Sequence, residues 1–179
     1  VATKSEAKIV FTSSSEVYAG ALNLLGDKFP IPTPENVPLV IEDPSNVRWS
    51  YGGSKIAGEI ALYSYAKSYN IKFSIIRYHN IYGPRMGNEH VIPQFIVRVI
   101  NQINPFPIYG GNETRTFCYI DDAIDGTSLV LESDQSDGQI IHVGRDDEEI
   151  KIVSLAKKIF SVSENNPAID IKLAPSGSV

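Results

Sequence analysis

Apolar and polar residues follow one another along this chain in blocks that predict alternating strands and helices. Two runs rich in β-branched and aromatic residues, Lys8–Thr12 and Lys72–Tyr78, are short enough to be buried strands. Between them, apolar residues at helical spacing predict a helix over Tyr51–Tyr69, and Asn70 follows it at the position of a C-cap. Strands that alternate with helices are typical of an α/β fold with a mainly parallel sheet.

The remaining predicted elements are shorter. Helices are predicted over His90–Asn104, Asp121–Ser133 and Lys151–Ser161. Strands are predicted at Ile108–Tyr109, Thr114–Ile120, Gln139–Val143 and Ile169–Leu173. The first strand is expected to end in a functional loop that begins at Ser13. The proline-rich stretch Ala19–Ser50 has few periodic apolar residues and is expected to be an irregular surface excursion.

Composition and charge narrow the class of protein. The chain has 179 residues, of which 42% are hydrophobic and 21% charged, which is enough for one well-buried core. A net charge of -5 without a basic stripe argues against nucleic-acid binding, because phosphates require neutralising cations. No apolar run approaches the roughly 20 residues of a membrane span, and no leader sequence opens the chain. These features predict a soluble, cytoplasmic protein.

Cysteine and histidine give no sign of a disulfide or a metal site. The single cysteine, Cys118, cannot form an internal disulfide, and its apolar neighbours indicate a packed thiol in a reducing compartment. The histidines His79, His90 and His142 are scattered singly, without the spacing of metal ligands. We therefore predict no metal site.

Two short motifs carry the candidate chemistry. The first is Ser13–Tyr18 at the end of a strand, and the second is Tyr51 followed four residues later by Lys55 at a helix start. Such a pair is also common as simple neighbours on a helix surface. However, an ammonium held beside a phenol favours the phenolate. Tyr51 would then take the proton from a sugar hydroxyl held by Ser14, while the carbon-bound hydrogen leaves as hydride to an acceptor such as NAD.

Four further segments occur in a fixed order with these motifs, namely Arg77–Arg85, Val91–Pro93, Ile108–Gly110 and Thr114–Asp122. Together they resemble the extended short-chain dehydrogenase family of NAD-dependent nucleotide-sugar epimerases, dehydratases and decarboxylases. The resemblance implies a Rossmann-like parallel sheet, a small α/β substrate-binding region, NAD as cofactor and a nucleotide-sugar, most simply a UDP-sugar, as substrate. It implies that Ser14, Tyr51 and Lys55 form the catalytic triad. It also implies that Lys55 holds the cofactor ribose, with Ser13 and Tyr51 beside the cofactor.

The same resemblance assigns residues to the substrate. Asn80 matches the residue that bonds the substrate diphosphate, although asparagine is also common in turns. Arg115 matches the residue that pairs with a phosphate, which suits a guanidinium with its paired donors, but it is also explained as a solvated arginine at a strand end. Arg85 is either a second phosphate contact or merely exposed. Val91 lies in a stretch that resembles the loop around the nucleotide base, or packs as an ordinary apolar residue.

The glycine-rich turn that receives the dinucleotide pyrophosphate in this family is not found in the chain. We therefore interpret the chain as a carboxyl-terminal fragment. Residues 1–82 are assigned to the second half of the NAD-binding domain, with the catalytic residues. Residues 83–179 are assigned mainly to substrate binding, with 115–145 partly returning to the main domain. Family members commonly form homodimers through the helix expected at 51–69.

The exact reaction depends on residues beside the triad, because a 4-keto sugar serves several reactions. Glu16 lies two residues after Ser14 and is either a second acid/base or an exposed loop acid. Ser15-Glu16 before Val-Tyr, together with Gly83–Met86, looks most like UDP-glucuronate decarboxylases. A 4-epimerase needs only the triad. Assignment as a 4,6-dehydratase is weakened, because those enzymes carry an aspartate at the position of Ser15. The alternative from another class is a non-catalytic module that binds a nucleotide-sugar or dinucleotide.

Overall fold

The structure is a computed structural model that describes residues 2–173, and it divides into two compact units. The first unit contains the chain up to Ile81 together with Asp121–Gly144. The second unit contains Tyr82–Ile120 and the chain from Arg145 onward. The assignment of cofactor binding to one unit and of substrate binding to the other stays a prediction.

Helices and strands alternate through both units. The helices are α1 (Ala2–Ser5), α2 (Ala19–Leu25), α3 (Ser50–Tyr69), α4 (Val91–Ile100), α5 (Ile120–Glu132) and α6 (Ile152–Ser163). The strands are β1 (Ile9–Ser14), β2 (Phe73–Tyr78), β3 (Ile81–Tyr82), β4 (Phe106–Tyr109), β5 (Thr114–Arg115), β6 (Cys118–Tyr119), β7 (Ile140–Val143), β8 (Ile150–Lys151) and β9 (Ile169–Lys172). Short 3-10 turns include Ser15–Tyr18 and Val47–Trp49.

A parallel sheet in the order β1-β2-β7 forms the centre of the first unit. Ile75 and Ile76 in the central strand are both 0% exposed, as expected for an apolar strand that is covered on its two faces. Helix α3 approaches β1 closely at Gly58, where a Cβ atom would overlap the ring of Phe11. The expectation of an α/β fold with a parallel sheet is confirmed.

The second unit is built around an aromatic cluster. Phe106 is 0% exposed, and its ring centroid lies 5.2 Å from that of Phe95 and 4.8 Å from that of Phe160. These edge-on contacts join β4 to the helices α4 and α6. Strand β4 pairs in parallel with β9, and β5 pairs with β8 in the antiparallel sense.

Two sequence-based expectations about local structure are wrong. The stretch Ala19–Ser50 is not irregular throughout, because it begins with α2, whose small residues Ala19 and Ala21 are buried. The prolines of the stretch start only at Pro30, after the helix. The proline-rich composition of the whole stretch therefore gave no indication of a helix at its beginning. The strand expected over 114–120 is two separate two-residue strands, β5 and β6, and α5 begins immediately after the second.

The expectations about cysteine, membrane spans and histidine can each be compared with the structure. Cys118 is 1% exposed and lies in the interior as a packed thiol, as expected. Within residues 2–173, none of the helices combines the length and the apolar character needed to cross a membrane. The histidines are not all scattered singly, because the rings of His79 and His142 lie 4.6 Å apart.

Candidate active site

The first strand brings two serines to its carboxyl end, where the chain turns. β1 continues through Ser14, which is extended (φ -152°, ψ 155°), although we expected a loop from Ser13 onward. The Ser14 side chain accepts a hydrogen bond from the Glu16 backbone N–H at 3.2 Å and so caps the 3-10 turn over Ser15–Tyr18. A hydroxyl that accepts one bond still has a proton to donate, so Ser14 is fixed without losing its capacity as a donor.

Helix α3 places the candidate tyrosine and lysine one turn apart at its amino-terminal end. Lys55 Nζ donates a hydrogen bond to the Thr12 backbone oxygen at 2.7 Å, so the side chain bridges from the helix to the end of β1. The same ammonium lies 5.6 Å from the centroid of the Tyr51 ring and 5.4 Å from that of Phe11. Tyr51 is itself 51% exposed. The pair is therefore anchored at the strand end with its phenol open to a ligand.

A glycine allows the start of α3 to approach the turn that follows Ser14. A Cβ atom at Gly52 would lie 2.9 Å from the backbone oxygen of Glu16, closer than real Cβ atoms come. Trp49, which is 6% exposed, anchors the chain directly before the helix begins. The turn therefore lies in close contact with the start of α3 at Gly52.

A buried ion pair joins these elements, and the sequence analysis did not identify it. The side chains of Glu59 and Arg77 are 3% and 2% exposed, and Arg77 Nη2 lies 2.7 Å from Glu59 Oε2. The Ser13 hydroxyl donates to Glu59 Oε1 at 2.5 Å. The expectation that Ser13 contacts the cofactor therefore needs correction for its side chain, which points to Glu59 in the interior. The one signal in the sequence was an arginine within an apolar strand, since a buried cation requires a partner.

Glu16 lies at the surface of the first unit. Its side chain is 48% exposed, and its Oε2 is 4.0 Å from Nη1 of Arg48. The Arg48 side chain is 22% exposed, but the separation of 4.0 Å is too long for a hydrogen bond, so the Glu16 carboxylate stays accessible. Accessibility suits a group that exchanges protons with a ligand, and it equally suits an ordinary loop acid. The role of Glu16 stays a prediction.

The residues assigned to the substrate lie in both units, and their roles also stay predictions. Asn80 in the first unit is exposed directly after β2 and has a left-handed backbone (φ 44°), which asparagine tolerates in turns. In the second unit, Arg85 is exposed with φ 65°. Arg115 is partly buried and donates from Nη1 to the Thr114 backbone oxygen at 2.8 Å. Val91 begins α4 and packs against the apolar core of the second unit.

An aromatic and imidazole cluster lies at the carboxyl end of the sheet. The Tyr18 hydroxyl is 2.8 Å from Nε2 of His79, whose ring lies against that of His142. Burial, reinforced by the neighbouring His142, lowers the pKa of His79 to about 4. Burial likewise lowers the pKa of His142 and raises the pKa of Tyr18. All three side chains are therefore neutral near neutral pH.

The fold and these residues define a class of protein. A parallel sheet flanked by helices, with serine, tyrosine and lysine at its carboxyl edge, is a Rossmann-like α/β architecture. The profile of the NAD dependent epimerase/dehydratase family matches residues 1–144. The chain belongs to this family.

Relatives of known activity are about a third identical to the chain over the aligned residues. It is 33% identical over 172 residues to UDP-N-acetyl-alpha-D-glucosaminuronate decarboxylase of Bacillus cytotoxicus, covering 94% of the chain and 50% of that protein. It is 32% identical over 175 residues to UDP-glucuronic acid decarboxylase 5 of Arabidopsis thaliana, covering 97% of the chain and 48% of that protein. The chain thus spans about half the length of these relatives.

Solved structures show the same architecture. UDP-N-acetylglucosamine 4-epimerase from Methanobrevibacter ruminantium M1, in complex with UDP-N-acetylmuramic acid, superposes with a TM-score of 0.82 at 27% identity, covering 99% of this chain and 54% of that one. UDP-glucuronic acid 4-epimerase from Bacillus cereus, in complex with UDP-glucuronic acid and NAD, superposes with a TM-score of 0.76 at 27% identity. The match covers 93% of this chain and 49% of that one. The expectation of a Rossmann-like fold in this family is confirmed.

Proposed function

We propose that the protein is an NAD-dependent enzyme that oxidises the sugar of a UDP-sugar to a 4-keto intermediate and then decarboxylates it, as UDP-glucuronate decarboxylases do. The observation that carries this proposal is the position of the Lys55 ammonium. The ammonium is hydrogen-bonded to the backbone oxygen of Thr12, which directly precedes the two serines, and it lies over the ring of Tyr51. Family membership supplies the link to NAD.

The residues at the end of β1 fit a nicotinamide cofactor. The carboxyl edge of a parallel sheet is where such folds bind dinucleotides, and the small side chain of Ser14 leaves room there. Lys55 would hold the ribose. When bound, NAD accepts the hydride that leaves the sugar C4.

Each catalytic group has a distinct part in the first step. Ser14 donates a hydrogen bond to the C4 hydroxyl oxygen and orients it. Tyr51 takes the proton of that hydroxyl, while the C4–H bond breaks and its two electrons leave with the hydrogen. The positive charge of Lys55 stabilises the negative charge that develops on the Tyr51 oxygen.

Decarboxylation follows because a 4-keto sugar with a carboxylate at C6 is a β-keto acid. The C5–C6 bond breaks, carbon dioxide leaves, and the electron pair forms an enolate across C4 and C5. Glu16, exposed on the turn after Ser14, is proposed to deliver the proton to C5. Tyr51 would give its proton back to the C4 oxygen as C4 regains the hydride that a bound cofactor would supply. The decarboxylases among the relatives support loss of carbon dioxide as the reaction.

Substrate contacts complete the proposal. Asn80, Arg85 and Arg115 would bind the diphosphate, since amide and guanidinium donors suit phosphate oxygens, and Val91 would lie beside the base. A 4-epimerase is the second candidate, because the solved structures with this fold include 4-epimerases. A 4,6-dehydratase and a non-catalytic nucleotide-sugar module are further alternatives.

Product mass decides between these candidates. Full-length protein is incubated with NAD and UDP-glucuronate, and the product is weighed by mass spectrometry. Loss of carbon dioxide supports the decarboxylase, whereas an isomer of unchanged mass overturns it in favour of the epimerase. Lack of any turnover, with UDP-glucuronate still bound in a calorimetric titration, supports the non-catalytic module.

A homodimer through α3 and a cytoplasmic location are part of the same proposal. Helix α3 exposes Tyr65 (62%) and Tyr69 (57%), whose stacked rings lie on one side of the helix with centroids 5.6 Å apart, and an exposed aromatic patch of this kind suits pairing with a second copy. The single buried thiol of Cys118 suits a reducing cytoplasm. Sedimentation velocity of the wild type and of Tyr65→Lys tests the dimer, and an unchanged monomeric mass for both contradicts it.

A further inference from the structure

The Glu59–Arg77 pair satisfies the conditions under which a buried charge pair is tolerated. Arg77 Nε donates to Glu59 Oε1 at 3.0 Å and Nη2 donates to Oε2 at 2.7 Å, so both carboxylate oxygens are bonded in the two-pronged geometry that suits a guanidinium. Arg77 Nη1 donates to the Glu35 backbone oxygen at 2.9 Å. Removing two such charges from water is costly, so the pair has to be well bonded to persist.

The pair also extends to the strand that carries the candidate serines. Glu59 Oε1 accepts the hydrogen bond of the Ser13 hydroxyl at 2.5 Å, and Ser13 directly precedes Ser14. On α3, Glu59 lies one turn after Lys55 and two turns after Tyr51, so the three share one side of the helix. One buried carboxylate therefore connects the strand that carries Ser14 to the helix that carries the other two groups.

We propose that Glu59, held by Arg77, is a positioning residue that acts through the Ser13 hydroxyl to set Ser14 against Tyr51 and Lys55. This inference rests on the proposed function. Neither Glu59 nor Arg77 is exposed, so neither reaches a substrate. Their effect comes from geometry, because a displacement of about 1 Å between reacting groups costs as much as 100-fold in rate.

Ser13→Ala is the sharpest test, because it removes the connection and leaves the ion pair in place. In full-length protein we expect kcat to fall by about 10-fold or more, with KM for the UDP-sugar and for NAD within about twofold of the wild type. Ser13→Ala should also lower the midpoint of thermal unfolding, because one buried hydrogen bond is lost.

Ser74→Ala is the matched control. Ser74 is 0% exposed on the neighbouring strand β2, and its hydroxyl donates to the Ser136 backbone oxygen at 2.7 Å. It therefore loses one buried hydroxyl from the same sheet, away from the candidate triad. We expect a similar loss of stability and an unchanged kcat.

Three outcomes separate the positioning role from the alternatives. A lower kcat for Ser13→Ala alone, at equal thermal stability of the two variants, supports it. Equal kcat values for the two variants, or a raised KM for NAD in Ser13→Ala with unchanged kcat, overturn it, while loss of turnover in Tyr51→Phe still supports the proposed function. If Tyr51→Phe turns over the UDP-sugar at the wild-type rate, both the proposed function and this inference are contradicted.

Discussion

Replacing His79 by phenylalanine is expected to make the first unit less sensitive to acid. His79 lies against His142, with a ring separation of 4.6 Å, and its Nε2 is 2.8 Å from the hydroxyl of Tyr18. Burial and the nearby His142 lower the pKa of His79 from 6.5 to about 4. Arg77, on the strand that precedes His79, opposes protonation of the imidazole, and Glu35 favours it. Phenylalanine keeps the ring and removes the titrating group.

The sign and size of the effect follow from proton linkage. In the unfolded chain the imidazole binds a proton below 6.5, whereas in the folded chain it binds one only below about 4. The contribution of the neutral His79 imidazole to the free energy of unfolding is therefore fully present above pH 6.5, and it is lost as the pH falls from 6.5 through 4. At about 1.4 kcal/mol for each pKa unit, and with allowance for partial exposure, the loss between about pH 8 and about pH 5 is roughly 1–2 kcal/mol.

Urea unfolding of this chain, followed by circular dichroism at the two pH values, measures this difference. We expect His79→Phe to lose about 1 kcal/mol at the higher pH, because the Tyr18 hydroxyl loses its partner, and to lose less than the wild type on acidification. Tyr18→Phe is the control, because it removes the same hydrogen bond and keeps the imidazole, so its acid sensitivity should persist. An acid-induced loss in His79→Phe equal to that of the wild type would refute the reasoning.

Three further predictions follow from single contacts. Gly52→Ala should lower the free energy of unfolding by about 1–3 kcal/mol, because its Cβ meets the backbone of Glu16, whereas Gly87→Ala, with nothing within 4 Å, should leave it nearly unchanged in the same urea assay. Glu59→Gln should cost about 3–5 kcal/mol in urea unfolding, because it leaves the buried Arg77 charge without its counter-ion, and a loss below about 1 kcal/mol would contradict this. In full-length protein, Glu16→Gln should slow protonation of C5 after carbon dioxide has left, so that formation of the final sugar product slows and NADH absorbance accumulates; a wild-type rate of product formation would exclude Glu16 from the reaction.

Periodicity in the sequence predicts the elements of the first unit well, because their patterns are local. Helix α3 begins within one residue of the expected Tyr51 and ends at Tyr69, and Asn70 adopts the left-handed C-cap (φ 50°). Strand β2 lies within the apolar run, as expected for a buried parallel strand. The short helix α2 was missed because its small buried residues lack the spacing of an amphipathic helix.

The contacts that join distant residues could not be predicted in this way. His79 and His142 come together because β2 and β7 are neighbours in the sheet, with Arg77 paired to His142 in register. Ser13 meets Glu59 across 46 residues. The contact between the histidines depends on strand register, and the contact between Ser13 and Glu59 depends on how α3 packs against β1. Local sequence patterns encode neither. The candidate triad was accessible to sequence analysis because its two motifs are short and contiguous.

The central claim, that Tyr51 enables oxidation of the sugar C4 by NAD, is tested most directly by isotope transfer. Full-length protein is mixed with NAD and UDP-glucuronate that carries deuterium at C4, quenched with acid during turnover, and its cofactor is analysed by mass spectrometry. Deuterium should pass from the sugar to the nicotinamide in the wild type and should fail to pass in Tyr51→Phe. Label that stays on C4 throughout turnover, or that passes equally well in Tyr51→Phe, would contradict the account.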